Sequence, residues 1–131
     1  MRSTDLVTML DDLPHHEVVR LVVAATGHPR ADVLVGFDVT PEQVARFDRY
    51  VERRRTNEPL QYIEGSVPFG PVDLIVDDRV LVPRPETEYL FELAISRVEF
   101  PSVIVDLCTG SGNLALALAS TYPDASVYAS D

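Results

Sequence analysis

The sequence predicts an α/β protein in three parts: a small helical bundle, a β-hairpin, and the opening of a doubly wound α/β domain. Three observations carry this. Apolar residues recur at helical spacing up to about residue 57. Short β-type runs punctuated by Gly and Pro follow. From Ser102 the pattern runs strand, glycine turn, helix, strand, as "SVIVDL", "CTGSG", "NLALALASTY" and "ASVYASD". The expected boundaries are 1–57 for the bundle, 58–82 for the hairpin linker and 83–131 for the start of the α/β domain.

The first helix is expected over "STDLVTMLDDL", with Ser3 or Thr4 as its cap and Leu6, Met9, Leu10 and Leu13 on one side. The second begins near Pro14, carries Val18, Leu21, Val22 and Ala25, and stops at Gly27. A short helical turn covers Arg30 to Val35. In the clearest helix, Thr40 is the cap, Pro41 the first helical residue and Glu42 a first-turn acid. Val44, Phe47 and Val51 form its apolar stripe, and Asn57 and Pro59 end it.

"LQYIEGSVPFGPVDLIVDDRVLVP" is then read as β-type runs forming a hairpin. "RPETEYLFELAISRV" returns to helix, with Leu90, Leu93, Ala94 and Val98 inward. The helix after the glycine turn is apolar on nearly all sides, as suits a helix covering a parallel sheet.

Composition narrows the function. Hydrophobic residues are 46% and charged residues 24%, the balance of a soluble globular chain. No run suggests a membrane span, and no secretory signal is visible at the N-terminus. The single Cys108 has no partner for an intramolecular disulfide, so a cytoplasmic location is the simplest expectation. The net charge of −10 argues against direct binding of free nucleic acid. Arg53, Arg54 and Arg55 are the one basic cluster, read as a solvated helix end where cations suit the dipole, with a binding patch as the alternative. His15 and His16 point to different helix faces and have no further ligand at metal-binding spacing, so no metal is expected.

The glycine turn is the chemical feature. Gly110 and Gly112 let the backbone approach a ligand between strand and helix. Gly110, Gly112 and Ala115 fit G-x-G-x-x-G/A, and Asp131 lies 21 residues beyond Gly110, near the ~20 expected for a ribose-binding acid. A dinucleotide such as NAD and S-adenosylmethionine both satisfy that spacing. Asp106, at the strand's end, opposes a pyrophosphate but suits a sulfonium and an ammonium, so S-adenosylmethionine is favoured. The plain alternative for Asp106 is a cap or loop-bonding carboxylate. In "PRPETE", Pro83 and Pro85 keep Val82 and Arg84 extended, and Glu86 and Glu88 open a helix at its favourable end. That segment is either a stiff linker or one wall of the pocket, with Arg84, Thr87 or Glu88 reaching in.

"LVPRPETE" at 81–88 and "DLCTGSG" at 106–112 together resemble the HemK/PrmC family of protein-(glutamine-N5) methyltransferases, N-terminal portion. The joining segment is similar to that family's hairpin linker, and the N-terminal helices match in character. The resemblance implies a Rossmann-like class I S-adenosylmethionine-dependent methyltransferase domain, here only begun. It implies methyl transfer to the glutamine of the Gly-Gly-Gln loop in class I peptide chain release factors, with the helical domain helping to dock that protein. Cys108, Thr109, Gly110, Ser111 and Gly112 would line the cofactor's methionine side, and Asp131 would hold the ribose. Cys108 is a departure: glycine is common there in release-factor enzymes, while cysteine is frequent in the group that modifies a ribosomal protein. The family's catalytic Asn-Pro-Pro-Tyr string does not occur in these residues. The expectation is therefore an N-terminal portion without methyltransferase activity by itself, whose last ~30 residues are weakly stabilised. The competing readings are a ribosomal-protein glutamine methyltransferase, a NAD-binding oxidoreductase fragment, and a non-catalytic binding module.

Overall fold

A computed structural model describes residues 1–131. The chain is mixed α/β and divides into two compact units, Met1–Glu64 and Gly65–Asp131. No helix is long and apolar enough to cross a membrane.

The first unit holds α1 (Ser3–Thr8), α2 (His15–Thr26), α3 (Arg30–Val35), α4 (Pro41–Arg55) and α5 (Leu60–Glu64). Val18, Leu21, Val22 and Ala25 of α2 are fully buried, as their spacing required. Gly27 ends α2 in the left-handed conformation, φ 74°, where its N–H bonds the Val23 carbonyl. In α4, Phe47 and Val51 are buried and Val44 is half-buried. Thr40 caps α4 reciprocally: its Oγ1 accepts from the Gln43 N–H at 3.2 Å, and Gln43 Oε1 accepts from the Thr40 N–H at 2.9 Å.

Two expectations fail here. The first helix stops at Thr8 rather than running through "LDDL", and Met9 is half-exposed. Ser3 does not cap it. Its buried hydroxyl donates to the Val33 carbonyl at 3.0 Å and accepts from the Phe37 N–H at 3.2 Å, tying the chain start to α3 and the segment after it. The second failure is Leu60–Glu64, read as β-type but helical. Leu60 and Ile63, three residues apart, both enter the core, and burial decides where five residues are too few for periodicity to speak.

The arginine cluster is consumed by ion pairs. Arg54 grips Glu17 of α2 with Nε–Oε2 at 2.6 Å, Arg53 grips Glu58 at 2.8 and 2.5 Å, and Arg55 reaches Asp12 at 2.8 Å. Each of the three guanidiniums is already ion-paired within the helical unit. These hydrogen bonds hold the Glu17 and Glu58 carboxyls below the ordinary 4.5. A carboxyl with a lowered folded pKa stabilises the fold above its unfolded value and loses that contribution as pH falls through the folded one. The helical unit should therefore keep its stability above about pH 5 and lose it progressively below that. Urea midpoints for the wild type and Arg54→Gln between about pH 3 and pH 6 check this. An equally steep acid decline in the variant would remove Glu17 as a cause.

The second unit opens with a hairpin, β1 (Ser66–Phe69) and β2 (Val72–Ile75), antiparallel with Phe69 opposite Val72. Then come α6 (Pro85–Arg97), β3 (Val103–Leu107), α7 (Asn113–Thr121) and β4 (Ser126–Ser130). β3 and β4 pair in parallel, Val103 with Ser126 through Leu107 with Ser130, and α7 packs on both. This is the expected βαβ order.

The inward face of α6 is only partly the expected one. Leu93 and Ala94 are half-buried, but Leu90 and Val98 are 53% and 45% exposed, and the buried residue is Phe91. Phe91 lies 6.2 Å from the Phe69 ring, ring centre to ring centre, and covers Gly70. A Cβ on Gly70 would sit 2.8 Å from Phe91, and the residue's φ is +51°, so this turn needs glycine on both counts. Glu88 Oε1 accepts from the Gly70 N–H at 2.9 Å and completes the clamp of α6 on the hairpin.

Candidate functional site

The glycine turn lies at the carboxyl ends of both strands of the parallel pair. The Thr109 N–H donates to the Ser130 carbonyl at 3.1 Å, pinning the turn to the end of β4. Cleft binding at this end of a parallel sheet is the general rule for open α/β folds. A cleft of about 240 Å³ is found here, lined by residues 81–84 with Thr87, by residues 106–111 and by Asn113 and Leu114 at the start of α7. A second hollow of about 280 Å³ is slightly larger. Its lining, residues 99–101 and 121–125, precedes the two strands, at their opposite ends, and it has no glycine turn.

Asp106 shapes the turn. Its Oδ2 accepts from Thr109 Oγ1 at 2.6 Å and from the Ala115 N–H at 3.2 Å. Ala115 is the third residue of α7, whose first amides have no partner inside the helix. The carboxylate thus caps the helix from the preceding strand, and its other oxygen has no protein donor. The two readings of Asp106 are compatible: one oxygen builds the loop, and the residue also lines the cleft.

Three turn residues take the left-handed conformation: Cys108 at φ 59°, Gly110 at 55° and Gly112 at 77°. Glycine adopts it freely, whereas a side chain there costs about 1–2 kcal/mol. Position 108 is thus conformationally a glycine position that this chain fills with an exposed cysteine.

The structure brings Asp106, Cys108, Thr109, Gly110 and Ser111 together with Arg84 and Thr87 in this one cleft. Three other candidates do not line it. Gly112 caps α7 just behind it, Glu88 is held by Gly70, and Asp131 follows the last residue of β4. Asn113 and Leu114 of α7, and Leu81, Val82 and Pro83, line it without having been singled out. Asn113 had a signal: it is the one polar residue opening the apolar "LALALA". Its buried side chain accepts from the Leu114 N–H at 2.8 Å. No group of His, Cys, Asp and Glu is arranged to hold a metal ion.

Residues 8–65 match the family model described as the PrmC N-terminal domain. The chain is 42% identical over 118 residues to the release factor glutamine methyltransferase of Mycolicibacterium smegmatis, covering 88% of this chain and 42% of that protein. With the enzyme of the same name from Escherichia coli K12 it is 39% identical over 121 residues, 90% of this chain and 44% of that one. With that of Deinococcus radiodurans it is 46% identical over 99 residues, 73% of this chain and 35% of that one. The chain therefore spans less than half the length of these relatives.

Proposed function

We propose that the chain belongs to the PrmC family, whose N-terminal domain model matches residues 8–65, and that it serves S-adenosylmethionine-dependent methylation of a glutamine side-chain nitrogen. The proposed substrate is the Gly-Gly-Gln loop of a class I peptide chain release factor in the cytoplasm. The relatives' shared name favours a release factor over a ribosomal protein.

The observation that carries the reading is the cleft itself. The residues of "LVPR" and "DLCTGS", which bear the family resemblance, both line it. S-adenosylmethionine supplies a methyl group made electrophilic by a sulfonium. Asp106, which lines the cleft, offers that cation a carboxylate, which a pyrophosphate would not tolerate. Gly110 leaves open space where a Cβ would stand, so a ligand can approach the backbone. Asp131, next after Ser130 and so beside the turn, is proposed to hold the ribose hydroxyls. The helical unit is proposed to dock the release factor. Because its arginine cluster is committed to internal pairs, docking would use other side chains.

Calorimetric titration of the 131-residue chain with S-adenosylmethionine and with NAD tests the reading. Binding of the first and not the second is expected, and preference for NAD would overturn it. These residues contain no Asn-Pro-Pro-Tyr string to hold the glutamine amide, so no methyl transfer to release factor is expected from this polypeptide alone. Radiolabel transfer from the methyl donor would show that reading to be wrong.

A further inference from the structure

The second hollow, of about 280 Å³, lies at the amino ends of β3 and β4, away from the cleft. Glu99, Phe100 and Pro101 line it from the loop before β3, and Tyr122, Pro123 and Asp124 from the turn between α7 and β4. Both linings are held in place. The Tyr122 hydroxyl donates to the Val98 carbonyl, and the Ala125 N–H closes the turn on the Tyr122 carbonyl at 3.0 Å. Pro101 and Pro123 restrict themselves and the residues before them. Three of the hollow's features serve nothing inside the protein. Phe100 is 90% exposed and shares the hollow with the half-buried Tyr122 ring. Glu99 and Asp124 have no hydrogen-bond or ion-pair partner, and no cation lines the hollow with them. The backbone N–H and carbonyl groups of Glu99 and Phe100 are unpaired as well.

We propose that this hollow binds an extended, arginine-bearing segment of a partner protein. Two carboxylates without a cation select positive charge. The aromatic rings select a guanidinium over a compact ammonium, because its planar fork stacks on a ring while its N–H groups reach a carboxylate. The free backbone of Glu99 and Phe100 selects a peptide over a free small cation, since an extended chain offers donors and acceptors in turn. The net charge of −10 favours the approach of a basic partner and repels a nucleic acid. A segment bound here leaves the cleft at the other strand ends open, so the hollow is a tether and not a part of that site. The proposal is independent of which cofactor the cleft holds.

The probe is the fluorescein-labelled peptide Ala-Pro-Arg-Ala-Arg-Pro-Ala, titrated into the whole chain beside control peptides with lysine or glutamine in place of arginine. The arginine peptide should bind below about 1 mM, the lysine peptide about threefold more weakly, and the glutamine peptide not at all. Glu99→Gln combined with Asp124→Asn should weaken the arginine peptide about tenfold, and Phe100→Ala about fivefold. All three side chains are exposed, so the variants should melt with the wild type. Backbone amide NMR should place the perturbed signals at Glu99, Phe100, Tyr122 and Asp124. Unchanged binding in either variant, perturbations elsewhere on the acidic surface, or no binding of the arginine peptide by the wild type would overturn the proposal. Equal binding of the lysine peptide would overturn it too, leaving a general cation surface. Self-association in sedimentation that Phe100→Ala abolishes would give the hollow to a second copy instead.

Discussion

Phe47→Ala is expected to remove about 3–5 kcal/mol from the helical unit, the usual cost of emptying an aromatic site in a packed core. Phe47 is 1% exposed and belongs to the same cluster as Leu6, Val18, Val22, Val33 and Ile63. A unit of this size commands only about 3–10 kcal/mol in total. The substitution should therefore leave it largely or wholly unfolded. Hydrogen exchange separates this from events in the second unit. Amides of α2, fully buried along Val18, Leu21 and Val22, should lose their protection. Those of β3 and β4 should exchange as in the wild type if the units are independent. Undiminished protection in α2 would mean that Phe47 is not central to this core.

Asp106→Ala is expected to abolish measurable cofactor binding, a loss of about a hundredfold or more. Two effects add. The Ala115 N–H, in a buried residue, and the Thr109 hydroxyl lose their acceptor, and an unsatisfied buried donor costs about 1–3 kcal/mol. The turn then loosens at the point where a ligand must meet fixed backbone. The cleft also loses its one carboxylate. Asp106→Asn divides the two effects, since its amide oxygen can still cap α7 but carries no charge. Weak binding by both variants, with Ala115 protected from exchange only in the asparagine form, is the expected pattern. Full binding by Asp106→Asn would make the residue a cap and nothing more, and would remove the charge argument against NAD.

The βαβ order was legible because each element has its own local signal: an apolar run, a glycine turn, then helical spacing broken at Tyr122-Pro123-Asp124. Thr40 and Pro41 likewise announced α4, and the structure adds Gln43 as the reciprocal partner of the cap. Failures fell where a long-range contact decides. "LQYIE" carries residue types common in strands, but docking Leu60 and Ile63 into the helical core makes it α5. The helical spacing in α6 allowed Leu90 as readily as Phe91, and only the hairpin, arriving with Phe69 and a bare Gly70, chose Phe91.

The site divides in the same way. By itself, the sequence determined that a glycine turn between strand and helix, opened by Asp106, was the place to look, because backbone conformation and charge at adjacent positions are local properties. It also determined that residues 81–88 are stiff, since proline fixes φ wherever it stands. Only the tertiary structure decided that this stiff segment is a cleft wall, that Glu88 turns away to Gly70, and that Arg84 is left without a partner. Only it showed that Arg53, Arg54 and Arg55 are spent on Glu58, Glu17 and Asp12. The physical reason is common to all four. Which acceptor a long polar side chain reaches depends on groups brought near by folding, often tens of residues distant in sequence, and no periodicity records them.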